Sequence, residues 1–176
     1  LTINESMTTG GAITTTAASA TNATVAAGKT FTAQHDVDLA DGTLANNGSV
    51  AIGAGKTVRA DADSVGAAGS YTFHILTATS ATGAGASNGV LDLSGGAAQS
   101  GIDAASDVKL AIDSGAVLSD GANIRVVHGG AAETTNFTGT ALNDTSYLYD
   151  FLIYNGNDGA VTYTGATAND IIVAVD

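Results

Sequence analysis

Three closely spaced aspartates in the segment DVDLADG are the first residues that could do chemistry. Asp36, Asp38 and Asp41 resemble the start of a calcium-binding loop, in which neighbouring carboxylates surround a hard cation. The full loop would need a glycine at its sixth position and a glutamate at its twelfth, where Asp41 and Asn47 stand instead. The segment therefore indicates either a calcium site of another geometry or a hydrated acidic surface.

Asp61 and Asp63 join this acidic set if the chain repeats every 27 residues, because Asp36 then falls over Asp63. Carboxylates stacked on adjacent strands would lie about 5 Å apart and would repel each other. A bound cation would relieve that repulsion. The five aspartates are our candidate calcium ligands, and a fully hydrated acidic face is the alternative.

The tripeptide Gly-Lys-Thr occurs twice, in VAAGKTF (residues 25–31) and in IGAGKTV (residues 52–58). A phosphate-binding loop needs a glycine five residues before its final glycine, and Ala23 and Val50 occupy those positions. A helix should also follow, but both copies lead into alternating, strand-like sequence. The pattern argues against nucleotide binding and favours a repeated structural corner.

The remaining polar residues carry no clear catalytic signature. No cysteine is present to join the histidines at a metal, and no serine lies in a nucleophile-elbow pattern. We interpret the histidines as outward strand or turn residues: His35, His74 and His128. Arg59 with Asp61 and Asp63 is the nearest approach to the acid–base cluster of a polysaccharide-cleaving enzyme. We predict that the protein is not an enzyme.

Asn-x-Ser/Thr sequences are candidate glycosylation sites. Five occur, beginning at Asn4, Asn22, Asn47, Asn136 and Asn143. Serine and threonine are abundant in this chain, so surface glycosylation and chance occurrence both stay open.

The composition indicates an ordered all-β chain. The 176 residues include 23 glycines, no proline and no cysteine, with recurrent valine, isoleucine and leucine. Glycine and β-branched residues interrupt every candidate helical window. The net charge of −12 argues against nucleic acid or an anionic membrane as partner. No segment is long enough to cross a bilayer as a helix, and Leu1 in place of Met suggests a removed leader, so we expect a secreted, cell-surface protein.

Short strands separated by glycine, asparagine and aspartate turns must position these residues. The best internal repeat aligns residues 22–33 with 49–60, an offset of 27, and LAIDSGAVL (110–118) is a weaker third copy. A recurring strand, glycine corner and second strand predicts a β-solenoid, whose turns bury their aliphatic side chains against one another. A Greek-key β-sandwich or jelly roll is the alternative. Residues 1–176 are expected to form a single domain.

Three segments resemble the passenger domains of bacterial autotransporters and related repetitive surface proteins. They are GTLANNGSVAIGAGKTV (42–58), GSYTFHILTAT (69–79) and NDTSYLYDFLIYNGNDGAVTYTG (143–165). The resemblance implies a right-handed β-helix displayed outside a bacterial cell, in an adhesive or structural role. Membrane transport is not carried over from that family.

The two ends of the sequence are strand-like and apolar. The residues concerned are Leu1, Ile3, Ile171, Ile172, Val173 and Val175. An exposed terminal strand that pairs with the next copy would give a head-to-tail homopolymer. Alternatively, the C-terminal residues complete the core of their own subunit.

These features together predict a structural subunit of an extracellular surface layer, sheath or fibre. The subunits would associate through strand contacts, with or without calcium. The alternative is an adhesin that binds a host or matrix glycan. Purified polymers would favour the first role, and a monomer with a ligand-binding surface would favour the second.

Overall fold

The computed structural model describes residues 1–15, 21–143, 146 and 148–176. In chain order its strands are β1 (Thr2–Ile3), β2 (Met7–Thr8), β3 (Ile13–Thr14), β4 (Ala23–Val25), β5 (Thr30–Ala33), β6 (Val37–Asp38), β7 (Thr43–Asn46), β8 (Ser49–Ile52), β9 (Thr57–Arg59), β10 (Ala62–Val65), β11 (Ser70–Ala78), β12 (Ser87–Asn88), β13 (Val90–Asp92), β14 (Val108–Leu118), β15 (Asn123–His128), β16 (Thr140–Ala141), β17 (Phe151–Asn155) and β18 (Asp170–Val175). A 3-10 turn at Ala105–Asp107 precedes β14. No helix in this part of the chain has the length and apolarity to cross a membrane. The predicted all-β class is confirmed.

The strands form three mostly parallel sheets that the chain visits in turn. The first sheet has the order β1-β4-β7-β10, the second β12-β11-β8-β5-β2 with β14 also paired to β11, and the third β16-β17-β18-β15-β13-β9-β6-β3. From β1 to β11 every third strand returns to the same sheet. Met7 pairs with Phe31 and Thr30 with Ser49, so one passage through the three sheets takes between 19 and 24 residues in this region.

Inward side chains stack in columns along each sheet. In the second sheet the column is Met7, Phe31, Val50, Tyr71 and Val108. In the third sheet it is Ile13, Val37, Val58, Leu91 and Val127. The buried members of these columns belong to one continuous apolar cluster that extends from Ile3 to Val175. Burial of apolar area, at roughly 25 cal/mol per Å², is therefore the main force that holds the sheets together.

Both Gly-Lys-Thr stretches are corners, as predicted, and the glycines have φ angles of 71° at Gly28 and 68° at Gly55. The first corner joins β4 to β5 and the second joins β8 to β9, so they connect different pairs of sheets. Thr30 pairs with Ser49, whereas Thr57 pairs with Val90. The 27-residue offset is consequently wrong as a stacking period. It spans one passage plus one additional corner, because the same turn sequence serves whichever two sheets it joins.

The regular order ends after β11. Tyr71 pairs with Val108, 37 positions later, because a long insertion separates β11 from β14. The register of β11 and β14 shifts between Ile112 and Val117, so the weak third repeat copy lies inside β14 and not at a corner. Beyond β15, the strands β18, β17 and β16 pair antiparallel. The chain thus divides into a regular parallel part and a less regular part.

Candidate functional site

The first three candidate calcium ligands lie around β6 and the turn after it. The Oδ1 atom of Asp36 accepts a hydrogen bond from the backbone N–H of Thr57 at 2.9 Å. Asp38 lies 3.6 Å from the guanidinium of Arg59 in the adjacent strand. Asp41 is exposed. Two of the three carboxylates therefore already have partners within the fold.

The other two candidate ligands lie at the first sheet. Asp61 is half-buried beside Gly96, and Asp63 lies in β10, where it pairs with Leu44. The predicted stacking of Asp36 over Asp63 is therefore wrong, because it rested on the 27-residue period. Among the described residues, no three acidic or histidine side chains converge as a metal ion would require. Calcium binding stays a prediction.

A buried polar cluster lies where the first sheet ends. Asp63 continues the inward column of Ala23 and Leu44 and is 8% exposed. The hydroxyl of Tyr71 donates to its Oδ2 at 3.0 Å, and the N–H of Gly101 donates to its Oδ1 at 2.7 Å. Burial raises the pKa of Asp63 to about 6, although both hydrogen bonds oppose the rise. Burial and the adjacent carboxylate raise the pKa of Tyr71 well above its usual range.

A second carboxyl group, Glu133, interacts electrostatically with Asp63. Its Oε1 accepts a hydrogen bond at 2.9 Å from the N–H of Ser100, in the segment that covers the outer side of β10. Burial raises the pKa of Glu133 to about 7, the Ser100 N–H opposes the rise, and the charge of Asp63 adds to it. Raised carboxyl pKa values are common at catalytic sites. Here, however, Asp63 points into the core, so the pair is suited to holding a proton within the fold.

The third sheet contains another ionisable cluster, centred on Asp170. This aspartate is fully buried at the start of β18, 3.7 Å from Arg125 Nη1 and 3.7 Å from His128 Nδ1. Its Oδ2 accepts a hydrogen bond from the N–H of Thr167 at 2.9 Å. The Arg125 guanidinium also lies 5.6 Å from the centre of the Tyr163 ring, within cation–π range. The cluster ties the start of β18 to β15.

The residues considered for catalysis do not share a cleft. Arg59 pairs with Asp38, Asp61 lies beside Gly96, and Asp63 is turned inward. The histidines are also apart: His35 is exposed, His74 lies 2.7 Å from Asp113, and His128 lies near Asp170. The arrangement brings no two of these histidines to one another.

The apolar residues proposed for assembly have opposite fates at the two ends. β18 lies between β15 and β17, with both edges paired inside the chain. Its four apolar residues are at most 1% exposed: Ile171, Ile172, Val173 and Val175. They complete the core, which was the alternative considered above. β1 is the outermost strand of the first sheet, where Ile3 is buried and Leu1 is 53% exposed.

The candidate glycosylation sites are all exposed: Asn4, Asn22, Asn47, Asn136 and Asn143. Asn22 accepts a hydrogen bond from the N–H of Thr43 at 3.0 Å, and Asn136 accepts one from the N–H of Thr138 at 3.0 Å. Residues 144 and 145, which complete the last sequence, lie outside the described part of the chain. Glycosylation stays a prediction.

Sequence reasoning did not identify Tyr71, Asp113, Glu133 or Asp170 as parts of polar clusters. Their partners are distant in the sequence, and no local motif announces them. Comparison with protein-family models, with curated proteins and with solved structures finds no match to this chain. The resemblance to autotransporter passenger domains therefore stays a prediction, and function must be argued from the geometry.

Proposed function

We propose that the protein is a non-enzymatic structural subunit of an extracellular assembly, and that it pairs with a second copy through the open ends of its three sheets. In this proposal the strands from β1 to β15 wind as a short three-sided β-solenoid around one core. The order in which the chain visits the sheets supports the solenoid over a sandwich, because Greek-key sandwiches are built from antiparallel strands.

The open end carries the proposal. β1, β2 and β3 are outermost in the three sheets, and no strand of the described residues pairs with their outer edges. Met7 is 38% exposed, whereas Phe31, the next residue of its column, is 2% exposed. Unpaired edges beside an uncovered apolar row favour the addition of further strands.

The opposite end differs from the open end in each sheet. The outer side of β10 is covered by the segment that contains Gly96 and Gly101. The second sheet ends at the bulged β14, and the third at the antiparallel β16. A head-to-tail contact would therefore not match the three edges of the open end. Two open ends facing each other do match, and such a contact closes as a two-fold dimer. The pair would be the building block, in place of the head-to-tail polymer.

The non-enzymatic part of the proposal is supported by the separation of Arg59, Asp61 and Asp63 described above. The extracellular part rests on the composition and on the accessible Asn-x-Ser/Thr sequences. A structural subunit is thus the function that the geometry supports best.

Sedimentation velocity tests the pairing. The chain should sediment as a species of twice its 17.1 kDa. The double substitution Met7→Lys and Ile13→Lys places two charges at the open end and should give a folded monomer. Val117→Lys, at a 58% exposed residue of β14, is the matched control and should stay dimeric. A wild-type monomer at concentrations up to about 100 µM would rule out the pairing as a stable contact.

A further inference from the structure

The outer face of the second sheet contains a groove of about 330 Å³, close to the corner formed by Gly55. Its lining includes Thr32, Gln34, Gly53, Lys56, His74 and Asp113. This volume is at the lower limit of pockets that hold small molecules. The groove is far from uniform in chemistry, since it combines an ammonium group, a carboxylate, an imidazole, an amide and a hydroxyl.

A glycine makes the floor of the groove. Ile52 pairs with both Ala33 and Phe73, so Gln34, Gly53 and His74 occupy the next row across the sheet. The N–H of Gly53 donates to the carbonyl of Ala33 at 2.9 Å, which continues the ladder. Because side chains alternate between faces, this row points outward. The missing side chain at Gly53 leaves a depression between Gln34 and His74.

The imidazole on one side of the groove is oriented by a carboxylate. His74 Nδ1 lies 2.7 Å from Asp113 Oδ1, and the two side chains are 31% and 35% exposed. Asp113 is the diagonal neighbour of His74, two residues beyond Ala111, which pairs with His74 directly. With Asp113 ionised, Nδ1 carries a proton and donates it to the carboxylate. The other ring nitrogen, Nε2, is then the one free to contact a ligand.

The cation of the groove is a corner lysine without an ionic partner. Lys56 forms no ion pair with any of the described residues, whereas Lys29, its counterpart at the other Gly-Lys-Thr corner, lies 3.0 Å from Glu5. Both lysines follow a glycine with positive φ, and both backbone N–H groups donate to the residue three positions earlier. The two corners are therefore equivalent locally, and only Lys56 presents its charge to a groove.

We propose that this groove binds a hexuronic acid unit of an acidic polysaccharide. Lys56 would contact the carboxylate, and Gln34, Thr32 and His74 would exchange hydrogen bonds with the ring hydroxyls. The carboxylate of Asp113 disfavours a dianion such as phosphate, because the groove supplies little excess positive charge. The site is separate from the open end of the sheets, so it stands or falls independently of the pairing of two copies.

Isothermal titration of the full chain with a tetragalacturonate tests the proposal. We expect a Kd on the order of 1 mM, and about tenfold weaker binding of the neutral tetragalactose. Lys56→Ala should weaken uronate binding about tenfold, and Lys29→Ala, the matched corner variant, should leave it unchanged. His74→Phe, which keeps the ring but removes its hydrogen bonds, should also weaken binding. Far-UV circular dichroism confirms that each variant is folded.

Several outcomes would overturn the assignment. Equal binding by Lys56→Ala and Lys29→Ala would remove Lys56 from the site. Equal affinity for the neutral and acidic sugars would exclude recognition of the carboxylate. Tight binding of a tetraglutamate peptide with the same dependence on Lys56 would identify an acidic peptide as the ligand class. No binding of the uronate at about 20 mM would show that the groove does not take up this sugar.

Discussion

The parallel part of the molecule, residues 1–65, and the part beyond it use the same strand chemistry but differ in what they bury. In the first part, short passages through three sheets leave little room between corners, and the inward columns are almost wholly apolar. In the second part, longer insertions cover sheet ends and enclose carboxyl groups such as Glu133 and Asp170. Asp63 lies at the boundary, as the last inward residue of its column. Buried ionisable groups therefore mark the places where the repeat stops.

The largest expected effects come from removing one buried aromatic ring in each part. Phe31 is 2% and Phe151 is 1% exposed, and both belong to the same apolar cluster. Phe31→Ala and Phe151→Ala should each lower the free energy of unfolding by about 3–5 kcal/mol. Because the cluster is continuous, both substitutions should shift one shared urea transition, followed by circular dichroism and tyrosine fluorescence.

Two separate transitions, each moved by only one of these substitutions, would show that the two parts unfold independently. Leu148→Ala is the control, because Leu148 is 85% exposed and should change the transition by less than about 0.5 kcal/mol.

The next effect concerns the boundary itself, through the protonation of Asp63. Its pKa is about 6 in the folded protein against 3.8 for the ordinary group, so the folded state binds the proton more tightly. The stability that this proton contributes is complete below about pH 3.8 and is lost as the pH rises through about 6. The rise corresponds to about 3 kcal/mol. Glu133, with a pKa of about 7, acts in the same direction and is screened more by solvent.

Asp63→Asn mimics the protonated carboxyl group and should keep both of its hydrogen bonds. The variant should match the wild type near pH 4 and exceed its free energy of unfolding by up to about 3 kcal/mol at pH 8. Urea unfolding between these pH values measures the difference. Asp41→Asn, at an exposed aspartate, should follow the wild-type pH profile. Parallel profiles for Asp63→Asn and the wild type would contradict a buried carboxyl group at this position.

Local signals in the sequence predicted local structure correctly. The strand predicted at 170–175 is β18, and the corners predicted at Gly28 and Gly55 are present. The stacking period failed because a corner sequence records its own turn and not the sheets that it connects. The pairing of His74 with Asp113 could not be read from the sequence, since it depends on which strand follows β11 in the sheet and on its register. Inward burial of Asp63 was missed because a charged residue is expected on the outer face.

A smaller effect should distinguish corner geometry from sheet identity. Gly28 and Gly55 have the same left-handed backbone, although they join different sheets. Gly28→Ala and Gly55→Ala should each cost about 1–2 kcal/mol, because an L residue is strained at positive φ. Gly10→Ala is the control, since a Cβ there meets no atom within 4 Å and no positive φ is required. A cost confined to one corner, seen in thermal unfolding, would mean that the surrounding sheets decide the strain.

The smallest effect is expected from the surface ion pair of the parallel part. Lys29 Nζ lies 3.0 Å from Glu5, but the Glu5 side chain is 88% exposed, so water and salt weaken the attraction. Glu5→Gln should therefore change the free energy of unfolding by less than about 0.5 kcal/mol, and the difference should vanish in 1 M salt, as measured by urea unfolding. A loss of 2 kcal/mol or more would mean that this pair fastens β2 to β5, and that the parallel part depends on charge as well as on its apolar columns. It would also make Lys29→Ala unsuitable as the silent counterpart of Lys56→Ala, because the two corners would then differ in stability as well as in ligand contact.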